Sequence, residues 1–509
     1  MTYGEGGYPR TPIDERTWLP PYQATPPTGP QAWSPAPPPD RVMWYLPDGT
    51  VTFTRAPVPG VGSLVPLPVA PRRRVGLRIS LVLAALLVLC GTPAVWAVSQ
   101  LDLATLAEGP SAGPGGPTEP GPLPSGVRSP RPGDPASVRT AWVSAQIDLT
   151  LAGQTKALLG GDERGFLAGG DTAMAADLKR RFASLRALQV TGWSPTVVNG
   201  PSESTGKGGR TEWKATLSLR HCFVVAGCET DGLMVGSTWV EKDGRALLAG
   251  LESSSASERG PRPWEVSELK ASAGARAVVA TTSRYASRLP SLLREAEKAA
   301  LIADKFIVGG AKPDRYRVYF AGSEEWKKWF GGERPEWTAG YAISISARRM
   351  EIVLNAAHVP TTFLDDILRH ELTHVSSLRG ARYQYDSNWW LSEGLADHAL
   401  LDGQPASRHD ALTAGVARRF LRAGKWDGKV SIAEPNDKAP LWEAVARYGI
   451  AFLGVRRMSE RFGDAKLLTF FSEVMHRGST LDHASQTAFG VPWSNVEADC
   501  AKSIRSRIG

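Results

Sequence analysis

Histidine and cysteine are scarce in this chain, with eight of the first and four of the second in 509 residues. Scarcity makes their spacing informative. A chance H-E-x-x-H turns up in on the order of one in a hundred chains this poor in histidine. Cys90 lies in an apolar run and reads as a small buried hydrophobe. Cys222 and Cys228, in HCFVVAGCE, suit two strands joined by a turn or one local disulfide. A zinc site there lacks ligands, because only His221 is near. Cys500 is left over and reads as a free thiol, with a pairing to Cys222 or Cys228 left open. No block of five or six basic residues with interleaved aromatics occurs. The net charge of +8 therefore reads as a solvated basic surface, and nucleic acid is not supported as a partner.

One long charge-free run stands out, residues 79–98, ISLVLAALLVLCGTPAVWAV. About twenty apolar residues suffice to cross a hydrocarbon core of roughly 30 Å. Four arginines precede the run and none follows closely, so the positive-inside rule puts the N-terminus in the cytoplasm and the rest of the chain outside it. A cleaved signal peptide is the weaker alternative, because the run starts after a long tail. Residues 1–74 are rich in Pro and Gly and read as a disordered, Pro-rich cytoplasmic tail. Within it MWYLPDGTVTFTR suits a small hairpin around Pro47-Asp48-Gly49. The membrane helix is assigned to 75–99, with the bilayer as partner of residues 79–98. Residues 100–138 are a Pro/Gly-rich linker.

Residues 139–258 read as an α+β domain. Amphipathic helices come first, broken at Gly160-Gly161. Successive strands follow, with turns at Gly227, Asp231-Gly232 and Asp243-Gly244. Helices followed by a curved meander resemble the nuclear-transport-factor-like cone. No charged constellation here demands catalysis, and a spacer or docking role is the simpler expectation.

Residues 264–509 run strand, helix, strand, hairpin and then helices. This pattern predicts an α+β lobe followed by a helical lobe. The hairpin is placed at 341–345 and 351–354. The helical part opens on His370-Glu371-Leu372-Thr373-His374, and nineteen positions after His374 comes Glu393, then Asp397. On a helix, positions i and i+4 share a face, so both imidazoles can reach one ion, and Glu371 lies where it can reach a water. Two His and one Glu with a fourth position open make the ligand set of a catalytic zinc. Thr361 or Thr362 suits the N-cap of this helix, Asp365 and Asp366 its first turn, and Gly380 its end.

The pair H-E-x-x-H and W-L-S-E-G-x-A-D resembles the gluzincin metallopeptidases, which include thermolysin-type and aminopeptidase-N-type enzymes and the peptidase-MA-like group. The resemblance covers about half the chain, residues 264–509. It implies a zinc lobe with a β-sheet, an H-E-x-x-H helix and a helical C-terminal lobe. It also implies one Zn2+ per chain on His370, His374 and Glu393. Glu371 is then the general base, and Asp397 holds a ligand histidine in its tautomer. Tyr448 resembles the oxyanion-donating Tyr of the family's Y-x-x-G-type helix, although here the glycine follows directly as Gly449. Tyr383 and Tyr385 are rival donors. His358 and His398 read as surface or supporting residues. The substrate is a peptide or protein, paired with an edge strand near residues 338–343. That segment lacks the glutamate-bearing G-x-M-E-N pattern of aminopeptidases, which favours an endopeptidase. An aminopeptidase and a catalytically silent binding or sensor protein are the alternatives.

Overall fold

In the computed structural model of the chain, the described residues are 41–45, 51–55 and 126–508, apart from short gaps at 229–231, 256–258, 311, 333, 336–337, 347–348, 382–384 and 403–405. Residues 1–89 and 90–509 form separate units. In the first, β1 (Arg41–Tyr45) and β2 (Val51–Arg55) pair antiparallel, Arg41 opposite Arg55. This is the hairpin expected around the Asp48-Gly49 turn. The charge-free run at 79–98 lies outside the described residues. Among those described, no helix is long and apolar enough to cross a membrane.

The second unit begins with α1 (Ala136–Gly160), which ends where Gly161 adopts a left-handed φ of 76°. After the short α2 (Glu163–Leu167) and α3 (Ala175–Ala187) comes an antiparallel meander: β3 (Val190–Thr205), β4 (Thr211–Phe223), β5 (Leu233–Lys242) and β6 (Arg245–Leu251). Asp243 and Gly244, both at positive φ, make the tight β5–β6 turn. Cys222 and Cys228 are joined as a disulfide, and Cys500 is a buried free thiol.

A short α4 (Pro263–Val266) leads into a mixed five-stranded sheet of β7 (Leu269–Ala273), β8 (Ala277–Thr282), β9 (Tyr316–Ala321), β10 (Gly340–Ser346) and β11 (Arg349–Asn355). Its order is β10-β11-β9-β8-β7. α5 (Leu289–Ala303) connects the parallel pair β8 and β9, and α6 (Ser323–Lys328) follows β9. The expected hairpin is β10–β11. β7, which the sequence pattern did not suggest, adds an edge antiparallel to β8.

Every residue of β9 and β11 is buried, so both faces of the sheet are covered. The period of two decides which cover each residue meets. Val318, Phe320, Ile352 and Leu354 pack with α5 and with α7 (Leu364–Leu378). Tyr319, Ala321 and Val353 share a core with Trp142 of α1, Trp213 of β4 and Trp239 of β5. The meander and the mixed sheet are thus joined through one hydrophobic core. The helical end comprises α8 (Tyr385–Ala399), α9 (Ala406–Arg422), α10 (Leu441–Phe462), α11 (Asp464–Phe471), α12 (Leu481–Phe489) and α13 (Trp493–Ile508). Its own core centres on Trp389, Trp390, Phe452 and Phe470.

The expected threonine cap is corrected. Thr361–Phe363 forms a 3-10 turn, and α7 starts at Leu364 without a side-chain cap. Asp365 and Asp366 do lie in the first turn, and the helix stops just before Gly380, at φ 78°.

Candidate metal centre

α7 buries Leu364, Leu368, Leu372 and Val375 against the sheet. With that stripe anchored, His370 and His374 emerge one turn apart on the side facing α8, their rings 4.7 Å apart. α8 is held by Trp389, Leu391 and Leu395 in the helical core. Gly394 lets α8 approach α10 closely, since a Cβ there would stand 2.6 Å from the Ala451 carbonyl oxygen. This packing carries its neighbour Glu393, only 2% exposed, to the histidines.

Three atoms then form a triangle. His370 Nε2 lies 3.1 Å from Glu393 Oε2 and 3.1 Å from His374 Nε2, and His374 Nε2 lies 3.3 Å from Glu393 Oε2. A tetrahedral zinc with bonds of about 2.0–2.1 Å spans ligand–ligand edges of about 3.3–3.4 Å. The tautomers agree with such an ion. His370 Nδ1 donates to Asp397 Oδ1 at 2.8 Å, which turns its Nε2 toward the triangle. Ser392 Oγ stands 3.2 Å from His374 Nδ1, where it can accept that N–H and leave the second Nε2 facing the same point. Two imidazole nitrogens and a carboxylate oxygen converge at distances that one cation can bridge. The donor set and its spacing fit zinc.

Burial works to lower the pKa of His370, but hydrogen bonds to Asp397 and Glu393 outweigh it and hold the value well above the ordinary one. Burial would raise Glu393, yet the adjacent His374 and His370 hold it far below the usual carboxylate range. Glu371 is 4% exposed, and burial raises its pKa against the pull of His370 and His374. Its carboxylate lies against Gly340 of the edge strand, where an added Cβ would stand 3.0 Å from Oε1. Tyr448 of α10 packs edge-on against Trp389 and lies 6.2 Å from the His370 ring, centre to centre. Burial, then the nearby Glu393, Asp397 and Glu371, push its phenol well above the ordinary value.

These groups line one cleft of about 670 Å³ together with residues 340–344 of β10. The strand proposed as the peptide-pairing edge is an edge of the sheet. Tyr383 lies outside the described residues, and Tyr385 opens α8. His398 bonds Asp464 at 3.0 Å, and His358 Nδ1 lies 3.3 Å from the Thr338 carbonyl oxygen; neither belongs to the triangle. Ser392, within the quoted W-L-S-E-G, was not singled out by sequence. Neither were Arg259, Arg334, Glu434 and Asp437, which also line the cleft. A serine preceding a ligand glutamate was the available signal for the first, and nothing in the sequence signalled the other four.

No family model matches the chain, and no curated protein matches it. Among solved structures it is similar to native yeast LTA4 hydrolase, at 14% identity and a TM-score of 0.29 over 53% of this chain and 46% of that one. It is also similar to a mutant M1 zinc metallopeptidase from Deinococcus radiodurans, at 13% identity and a TM-score of 0.28 over 53% of this chain and 59% of that one. The chain thus matches about half the length of each, and likeness at this level carries no functional weight.

Proposed function

We propose that the chain is a zinc metallopeptidase of the gluzincin type, an endopeptidase anchored in the membrane with its catalytic part outside the cytoplasm. The observation that carries the hydrolase reading is the His370–His374–Glu393 triangle with a buried carboxylate, Glu371, beside it. Zinc bound there supplies Lewis acidity toward a peptide carbonyl and lowers the pKa of water toward neutrality. His370, His374 and Glu393 hold it, and Asp397 and Ser392 keep the two imidazoles in the ligating tautomer. Glu371, its pKa raised by burial, takes the proton of the attacking water and returns it to the leaving amine. Tyr448 keeps its proton at working pH, so its hydroxyl serves as donor to the developing oxyanion. An extended substrate adds to the edge of β10. Residues 338–343 offer no carboxylate to a free α-amine, which supports internal cleavage. The charge-free run at 79–98, with four arginines before it, supports the anchor and its orientation.

The test uses a broad peptide library with free and blocked N-termini, together with elemental analysis. One zinc per chain is expected, with equal cleavage of blocked peptides. Glu371→Gln should keep the metal and lower turnover by about 1,000-fold. Wild type as inactive as Glu371→Gln would point to a silent binding protein instead.

A further inference from the structure

The cleft has a wall that the reaction does not use. Among the described residues five non-glycine positions have positive φ, and two of them, Arg259 at 68° and Phe330 at 50°, line this cleft. Their segments touch. The Phe330 N–H donates to the Pro261 carbonyl at 2.8 Å, and a Cβ on Gly260 would stand 2.2 Å from the Gly331 nitrogen. Left-handed backbone at non-glycine residues persists only where its surroundings enforce it, and such strain gathers at functional sites. Arg334 follows in the same wall. Its guanidinium lies over the Tyr341 ring at 4.3 Å, its Nη1 donates to the Gly332 carbonyl at 2.7 Å and its Nη2 to the Phe330 carbonyl at 3.5 Å, so the group is held in one orientation. The cleft also carries acid. Glu434 and Asp437 precede α10, and the charge of Glu434 acts on Tyr448.

We infer that Arg259 and Arg334 form a subsite for a carboxylate of the peptide substrate, either an acidic side chain or the C-terminal carboxylate. Arg259 brings a guanidinium fork, which matches a carboxylate in geometry as well as charge, and Arg334, bonded to two backbone carbonyls, adds fixed positive charge. Arg259 is exposed at the cleft and lies on the segment between the meander and the mixed sheet. The inference rests on the peptidase reading.

The test uses the full chain loaded with zinc and matched peptides: one with an internal Glu, one with Gln or Lys in its place, each with a free or amidated C-terminus. Cleavage and fluorescence anisotropy are both measured at low salt. The peptide bearing the recognised carboxylate should be preferred by about tenfold, equivalent to about 1.4 kcal/mol, and the arm that shows it names the source. Arg259→Gln should reduce the preference toward one. Arg259→Glu should reverse it toward the Lys peptide, a reversal that only a folded variant can give. Carboxylate-dependent binding without cleavage keeps the subsite and removes the peptidase reading. Equal cleavage of acidic and neutral peptides overturns the subsite, as does failure of every peptide to bind.

Discussion

His221 and His370 are both buried histidines with charged neighbours, yet they are driven in opposite directions. His221, at the end of β4, meets Arg349 of β11, whose Nη1 lies 3.4 Å from its Nε2. Burial lowers its pKa, and the charges of Arg349 and Arg317 lower it further, so it is a neutral ring. At His370 the same burial is overcome by two carboxylates. Burial by itself therefore does not make a metal ligand; the sign of the company does. Hydrogen bonding differs as well. Around His370 and His374 each outer nitrogen has a partner and the inner nitrogens converge. In the seam between meander and sheet, Tyr319 Oη, Arg317 Nε and Glu351 Oε2 have no hydrogen-bond partner among the described residues. The first cluster has the donor set and spacing to hold a cation, and the second is a polar seam inside a hydrophobic joint.

Zinc affinity, measured by competition with a chromophoric chelator, puts this contrast on one scale. The largest effect belongs to His370→Ala, which removes one corner of the triangle and should abolish stoichiometric binding; full retention would break the comparison outright. Asp397→Asn leaves the corner in place but loosens its tautomer, with an expected loss of about 10–100-fold. Next comes pH. In the metal-free protein the raised His370 carries a proton at neutral pH, on the same Nε2 that must ligate. Zinc must displace that proton, so affinity should rise by about tenfold per pH unit between pH 6 and 8 and level off above the raised value. A flat profile would show that His370 is not the protonated partner. The smallest effect is expected from Arg349→Met in the seam. Zinc affinity should be unchanged, while denaturant unfolding should show a loss of about 1–3 kcal/mol from the bonds to the His221 carbonyl. A change in zinc affinity there would mean that the two regions are coupled.

How much of this could be read beforehand depends on distance along the chain. The hairpin of β10 and β11 and the end of α7 at Gly380 follow from short-range pattern and turn chemistry. β7 escaped notice because LKASA carries little apolar alternation and is stabilised by pairing with β8. The threonine cap failed because a 3-10 turn at Thr361–Phe363 precedes α7, which then begins without a side-chain cap. Ser392 stood inside a quoted motif, but its role depends on which way its hydroxyl points, and that is decided by the packing of α8 on α10.

By itself the sequence determined the chemistry of the centre: which side chains can ligate, and that two of them share a helical face. Helix geometry is local, so a spacing of four residues fixes a shared face anywhere. Only the tertiary structure decided that Glu393 closes the triangle and that Asp397 and Ser392 set the two tautomers. It alone brought Arg259, which immediately follows the meander unit, into the same cleft as His370. Those relations join residues tens to more than a hundred positions apart, and they are set by helix approach at Gly394 and by the period-two burial of β9 and β11 on both faces.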